Sequence, residues 1–385
     1  MLETNTGQAF SRLEQFRRDI NNDWHFGFFS YDLKNETERL SSGHPDGIGL
    51  PDLGFFRPET VAGIRHGRLE IHTLHHSPEE IFREIAHAGH PENADSVSQA
   101  VTSSPRLTTA GTDVRLHPRM PKPDYLQTVE AIRQHIIEGD VYEMNLCQEF
   151  FAENAVIEPV SVFEKLNAIG QSPFATFMRW RDRYLLSASP ERFLRKEGRR
   201  LISQPIKGTR RRGKNAAEDE LIRQELAASE KDRAENVMIV DLVRNDLGRV
   251  CEWGTVSVPD LLATEEHPGL FHLVSTVSGR LRPGLGWAAA IDATFPPGSV
   301  TGAPKISACS IIDRLETEPR GIYCGAIGWV DADRRRGDLN VAIRTFWIED
   351  DELNFGTGGG ITWDSTPAGE WAETELKARN LLRHA

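Results

Sequence analysis

Two pairs of carboxylates in this 385-residue chain are spaced for joint chemistry: Asp232 with Glu235 in "EKDRAENVMIV", and Glu370 with Glu373 in "PAGEWAETELKA". A spacing of three puts both acids of a pair on one helix face, where they repel unless a cation or water intervenes. A hard divalent ion such as Mg2+ resolves that conflict, because it takes one or two carboxylates, keeps some waters and admits a substrate anion. The plainer alternative is a solvated face near a helix N-terminus, where acids are favoured anyway. Lys207, in "ISQPIKGTRRRG", offers a different chemistry. To attack carbon its amine must lose a proton, which calls for desolvation or neighbouring positive charge. Arg210, Arg211 and Arg212 supply the charge if they turn inward, and leave Lys207 an ordinary surface lysine if they point to water.

Further candidates are single residues. "FGTGGGITWDS" puts Gly358, Gly359 and Gly360 between a predicted strand and a helix start. Their N–H groups can cradle a carboxylate or phosphate, and a flexible turn fits the pattern equally well. Neither GxGxxG nor GxxxxGK[ST] is present, so no nucleotide fingerprint is supported. "LNVAIRTFWI" reads as one apolar strand with Arg344 inside it, and that guanidinium needs a carboxylate from the protein or from a ligand. His272 opens the strand "HLVSTVSG", and Glu191 follows a proline in "SASPERF". Taken alone, each reads as structural.

The elements that must position these residues have their own signals. Asp124 with Gln127 resembles a capping box for a helix with Tyr125, Val129, Ile132 and Ile136 on one face and Gly139 as its stop. "VYEMNLCQEFFA", "FATFMRW", "YLLSASP", "RLISQPI", "YCGAIGWV" and "LNFGTGGGIT" read as strands. Helices are expected from Ser229 through Gly248, over "ISACSIIDRLE", and from Thr366 and Pro367 onward. Near the start, Phe10, Leu13, Phe16 and Ile20 have helical spacing, and "HFGFFSYDL" is strand-like. Residues 86–123, rich in Ser, Thr, Pro, Gly and His, read as a connector. Many strands in succession with few long helices favour a mixed α+β class over alternating βαβ.

Composition narrows the function classes. With 39% hydrophobic and 26% charged residues, no apolar run of membrane-spanning length and no signal-peptide pattern, the chain reads as soluble and cytoplasmic. Its net charge of −12 argues against nucleic acid as the main partner. Cys147, Cys251, Cys309 and Cys324 form no CxxC pair and are expected to be buried free thiols.

From about residue 120 to the end the chain resembles the chorismate-using enzymes, which include anthranilate synthase and aminodeoxychorismate synthase component I and the isochorismate and salicylate synthases. The resemblance rests on "GDVYEMNLCQEF", "SASPERF", "PIKGT", "KDRAENVMIVDLVRNDLGR", "HLVSTVSG", "FPPGSVTGAPK", "RGIYCGAIGW", "NVAIRT" and "GGGITWDSTPAGEWAETELKA", all in family order. It implies an α+β fold of two large, mostly antiparallel sheets packed together with flanking helices, the active site lying in a cleft between them. Residues 1–120 then form a shortened N-terminal section of the same fold plus a linker, and 121–385 the catalytic domain. It implies Mg2+ held chiefly by Glu235 and Glu373, with Asp232 and Glu370 close by or acting through water. Gly208, Thr209, Arg344 and the backbone of Gly358 to Gly360 would meet the carboxylates of chorismate. Ser299 and Trp329 would join the substrate contacts, Trp329 standing where tyrosine is common. Glu191 matches the general acid for loss of the C4 hydroxyl, and His272 falls among the catalytic positions.

Within that family the residue at 207 separates branches, alanine being typical of anthranilate formers and lysine of aminodeoxychorismate formers. Lys207 therefore implies a covalent adduct at C2, followed by ammonia attack at C4, on the route to p-aminobenzoate and folate. Glu143 departs from the family, whose ammonia users have glutamine there and whose isochorismate formers have lysine. No LLES-like inhibitor motif and no G-x-C-x-G glutaminase turn is visible. Ammonia is accordingly expected from a separate glutamine amidotransferase subunit. The competing expectations are anthranilate synthesis, isochorismate or salicylate formation, and, outside enzymes, a chorismate-binding regulator.

Overall fold

The run "LFHLVSTVSGR" is apolar or small on both faces, as a strand covered on both sides should be, and in the computed structural model it forms the long strand Leu270–Arg280. The structure describes residues 1–382 except 22, 39, 43, 45–48, 89–115, 154–156, 171 and 332–335. Along one side Leu270–Arg280 pairs with Arg200–Gln204 and, past a break at Pro205, with Ile206–Arg211; along the other it pairs with Ser257–His267. The sheet continues from Arg200–Gln204 through Arg192–Glu197, Arg336–Asn340, Ala326–Val330, His25–Phe29 and Leu53–Phe56 to Leu2–Thr4, making ten strands. The first 56 residues thus supply one wing of a sheet whose other strands come from beyond residue 190.

A second sheet of seven strands runs Gly302–Ala303, Glu143–Ala152, Glu352–Ile361, Thr345–Glu349, Arg183–Ser189 and Phe174–Trp180, with His117–Pro118 also on Glu143–Ala152. All pairings among the described strands are antiparallel. The main core lies between the sheets: Phe28, Leu194 and Leu201 of the first meet Trp180, Leu185 and Trp347 of the second in one cluster. Burial of such side chains from water is what holds the layers face to face.

Two helix groups clamp the sheets. Glu230–Gly248 is capped by Ser229, whose side chain accepts from Asp232 N at 3.3 Å. Its buried Asn236, Ile239, Val240, Val243 and Leu247 recur at helical spacing, and Asn236 reaches into the ten-stranded sheet, donating to Leu273 O (3.1 Å) and accepting from Ser275 Oγ (2.5 Å). Lys122–Glu138 and Pro367–Leu382 pack on the seven-stranded sheet, joined by Tyr125 against Trp371 and by Tyr125 Oη to Thr374 Oγ1 at 3.0 Å.

Several sequence expectations need correction. "LNVAIRTFWI" is two strands in different sheets, because the chain crosses from one to the other at residues 341–344. The three glycines form no turn: they lie within the strand Glu352–Ile361. The helix after residue 121 starts at Lys122 with Pro123 in its first turn and no side-chain cap, so Asp124 sits inside the helix instead of capping it. Gly139 does stop it, with φ +84°. Most of the 86–123 connector lies outside the described residues. Its described ends carry the close of helix Pro78–Ala88, the strand His117–Pro118 and the start of Lys122–Glu138. The four cysteines are buried and free.

Candidate active site

The chain passes between the sheets at two neighbouring points, and both carry chemistry. Arg183–Ser189 in the seven-stranded sheet leads through Pro190 and Glu191 into Arg192–Glu197 of the other, while residues 341–344 make the return between Arg336–Asn340 and Thr345–Glu349. The crossovers are bonded to each other: Val341 N donates to Glu191 O (3.0 Å), Ala188 N to Arg344 O (3.0 Å) and Ser189 Oγ to Val341 O (2.6 Å). Glu191 and Arg344 are therefore fixed by the junction of two sheets.

Glu191 is buried, and its burial pushes the carboxyl up to about 7, against the pull of the Ser299 hydroxyl, the Lys207 ammonium and the Ile206 amide. An acid that keeps its proton near neutrality is suited to protonating a leaving group. Ser299 is held nearby because Asn145 Nδ2 donates to its carbonyl (3.0 Å); its hydroxyl faces Glu191 without forming a regular hydrogen bond. Between them is a small cavity also lined by Ser203, Pro205 and Asp246.

Lys207 stands on a β-bulge. Ile206 is opposite Val274 and Thr209 opposite His272, so the stretch between them carries one extra residue. Gly208 absorbs it with φ +89°, a conformation glycine adopts without a Cβ clash. The bulge turns the lysine out of the ladder toward the other sheet, where its Nζ pairs with the carboxylate of Glu143 at the start of Glu143–Ala152. Burial would lower the lysine's pKa, but Glu143, Glu235 and Glu191 together hold it above the ordinary value. The expected arginine assistance is absent, because all three arginines are engaged with other partners. Arg210 pairs with Asp232 (2.9 Å) and Glu225, Arg212 with Asp219 and Glu266, and Arg211 reaches Asn380. The resting amine is protonated.

Arg344 has φ +49° and a half-buried guanidinium that pairs with no carboxylate among the described residues, and burial depresses its pKa. Such a group is a ready site for an anion. Next to it His272 is buried and lowered to about 3 by burial and by the positive charges of Arg344 and His267, with Nδ1 at 2.9 Å from Thr209 Oγ1. A neutral ring in this setting orients Thr209 and does not act as an acid near neutral pH.

The acids named from the helix spacing come from Glu230–Gly248 and Pro367–Leu382. Glu235 is pushed up to about 7 by burial, with Lys207 countering and Glu143 adding to the rise; Lys231 Nζ stands 3.8 Å away. Burial also raises Glu370, helped by Glu373. Glu373 is lowered despite its burial, because Lys377 lies at 2.7 Å and Lys231 and Lys207 also act on it. Glu235 and Glu373 thus share Lys231 and Lys207 as neighbours, so the two helices face one region. These oxygens are hard donors, and burial makes the ionised forms of Glu235 and Glu370 costlier, a conflict a divalent cation relieves. No three of the four carboxylates come within 4.8 Å of one another, and the only group of that kind among the described residues is His135, Glu138 and Asp140.

The glycine strand lies between these groups. A Cβ on Gly359 would sit 3.3 Å from Glu370 and 3.7 Å from Glu373, and one on Gly360 would sit 2.5 Å from Glu143 Oε1 and 3.2 Å from Lys207 Nζ. The segment must be bare backbone, and Lys377 donates to the Gly358 carbonyl at 2.7 Å. Trp329 is not brought to this cluster. Its strand pairs with His25–Phe29, which places the indole against Trp24 with ring centroids 5.4 Å apart. The sequence marks Glu143 only as a departure from the family; its complete burial at the start of Glu143–Ala152 is set by the fold and carries no local signal.

A guanidinium with no acid partner among the described residues, at the same junction as a buried acid, suits a small anionic ligand. The chain belongs to the chorismate binding enzyme family, whose sequence pattern matches residues 3–383. It is 36% identical to anthranilate synthase component 1 of Thermus thermophilus over 366 residues, covering 93% of this chain and 76% of that one. It is also 36% identical to aminodeoxychorismate synthase component 1 of Salmonella typhimurium over 358 residues, with 92% and 75% covered. Among solved structures, anthranilate synthase component I from Streptococcus pneumoniae superposes with a TM-score of 0.77 at 31% identity, over 93% of this chain and 80% of that one. The menaquinone-specific isochorismate synthase of Escherichia coli shares the fold, with a TM-score of 0.75 at 17% identity over 98% and 83%.

Proposed function

We propose that this chain aminates chorismate at C4 to 4-amino-4-deoxychorismate, with ammonia delivered by a glutamine amidotransferase partner, for p-aminobenzoate and folate synthesis. The observation that carries the reading is Lys207, buried on its bulge between Glu191 and Glu143. Relatives named for the two aminations are equally similar overall, so identity does not choose between them, and the reading rests on the lysine at 207.

In this reading Arg344, Thr209 and the bare Gly358–Gly360 backbone take the substrate carboxylates. Lys207 Nζ forms a bond to C2, the ring double bonds shift, and the C4 oxygen leaves as water with the proton of Glu191. Ammonia then adds at C4 and the lysine nitrogen leaves C2. Mg2+ held by Glu235 and Glu373, with Asp232 and Glu370 at hand, would neutralise and orient a substrate carboxylate.

The test is incubation with chorismate, Mg2+ and ammonia. A product that becomes p-aminobenzoate only after a lyase is added supports amination at C4. Fluorescent anthranilate appearing directly overturns it, turnover without ammonia points to isochorismate or salicylate formation, and chorismate bound but unconsumed marks a binding protein.

A further inference from the structure

We propose that Glu143 is the base that takes the proton from Lys207 before the amine attacks and returns it when the amine departs. This rests on the reading in which Lys207 bonds to the substrate. A buried ammonium is no nucleophile, and the three arginines next to it in sequence are engaged with other groups, so its proton must go to a local acceptor. Glu143 is 0% exposed and meets Lys207 Nζ through Oε1, while Oε2, also buried, has no hydrogen-bond partner among the described residues. A carboxylate oxygen left unmet in a dry site is costly and is open to a proton.

The surroundings single out this acid. Facing the amine are Glu143 from its strand, Glu191 from the crossover, Glu235 with Lys231 from Glu230–Gly248, and Glu373 with Lys377 from the last helix. Glu191 serves the leaving oxygen, and Glu235 and Glu373 form the cation region. Glu143 alone is hydrogen-bonded to the amine among the described residues. Gly360 keeps the space around the pair clear, since a Cβ there would lie 2.5 Å from Glu143 Oε1.

The proton balance closes. Lys207–NH3+ and Glu143–COO− become Lys207–NH2 and Glu143–COOH. The amine's lone pair forms the N–C2 bond as C4–O breaks with the proton from Glu191, giving water. Ammonia adds at C4, the N–C2 bond electrons return to lysine, and Glu143 gives its proton back to the amine. The new C4 ammonium returns a proton to Glu191.

Glu143→Gln tests the idea, since the amide keeps the shape and cannot take a proton. Intact-mass detection of the Lys207 adduct with chorismate and no ammonia, the lyase-coupled product assay, and chorismate affinity by tryptophan fluorescence are the readouts. Chorismate affinity should stay within about threefold, while adduct formation and kcat fall about 10²–10⁴-fold, the range for a lost general base. The deficit should narrow as pH rises and solvent deprotonates the amine. An adduct formed at the wild-type rate, or a loss confined to KM, overturns the proposal. If Glu143→Gln does not fold, Glu143→Asp carries the test: a slower adduct at unchanged affinity is expected, and an unslowed one overturns the base role. Wild-type enzyme that yields anthranilate with no adduct overturns the amination reading itself and this inference with it.

Discussion

At the scale of single residues, burial outweighs neighbouring charge at Glu191, whereas acidic neighbours outweigh burial at Lys207. Glu191 titrates near 7 because it is buried, and catalysis needs it protonated. The rate should be full below pH 7 and fall as pH rises through about 7. Glu191→Gln should lower kcat about 10²–10⁴-fold and abolish that alkaline limb, which a pH profile of kcat would show. Lys207→Ala should sharply slow amination or divert the product to anthranilate. Unchanged aminodeoxychorismate formation by liquid chromatography would remove the covalent role. Arg344 pairs with no acid among the described residues, so Arg344→Gln should leave the melting temperature nearly unchanged. Loss of a charge-assisted contact of about 1.5–3 kcal/mol should weaken chorismate binding roughly tenfold to a hundredfold, measurable by calorimetry. A large fall in melting temperature instead would mark Arg344 as structural. The roles of Glu191 and Arg344 could not be read from periodicity, because each sits where the chain leaves one sheet for the other.

At the scale of elements, two backbone irregularities carry the site: the bulge at Gly208 and the glycine run in Glu352–Ile361. Gly360→Ala drives a methyl group into the Glu143–Lys207 pair, so the expected outcome is loss of Lys207 adduct with the circular dichroism spectrum intact. Gly359→Ala meets Glu370 only at 3.3 Å and should be milder. Equal activity of both variants would show that the bare strand is not what shapes the site. Helices with clean spacing, such as those carrying Glu235 and Glu373, were legible in the sequence. Residues 339–348 were not, because nothing in so short a run marks where the chain changes sheets. Trp329 was misplaced for a related reason: its strand's partner, His25–Phe29, lies about 300 residues earlier.

At the scale of the whole molecule, the two helices and two sheets store a charge conflict. Glu235 and Glu191 have folded pKa values above their unfolded ones, so folding favours their protonated forms. Their cost is greatest above pH 7 and is relieved as pH falls from about 7 toward the unfolded range. Mg2+ should therefore stabilise the fold more at pH 8 than at pH 6, by up to about 2.7 kcal/mol at a hundredfold excess over its Kd, seen as a larger rise in melting temperature. Glu235→Gln should remove most of that gain in scanning fluorimetry, and an equal gain in the variant would place the ion elsewhere. A second load is carried by Lys305, whose Nζ donates to Asp246 (2.6 Å), Thr294 O and Pro296 O. Lys305→Met leaves Asp246 buried alone and should cost about 3–5 kcal/mol by denaturant titration. The loss should shrink at acid pH, because burial already lifts Asp246 to about 6.

The sequence by itself determined the local elements and the family, since helix faces, strand runs and motif order are written in neighbouring residues. It also named the two acidic helix faces, because those acids are spaced for chemistry on their own elements, while Lys207 and Glu191 entered through the motif order that the family resemblance rests on. Only the tertiary structure decided that Lys207 meets Glu143 from the opposite sheet, that its arginines bond to other partners, and that Trp329 lies apart. Those outcomes depend on contacts between segments tens to hundreds of residues apart, and on how deeply the fold withdraws each charge from water, which no local pattern encodes.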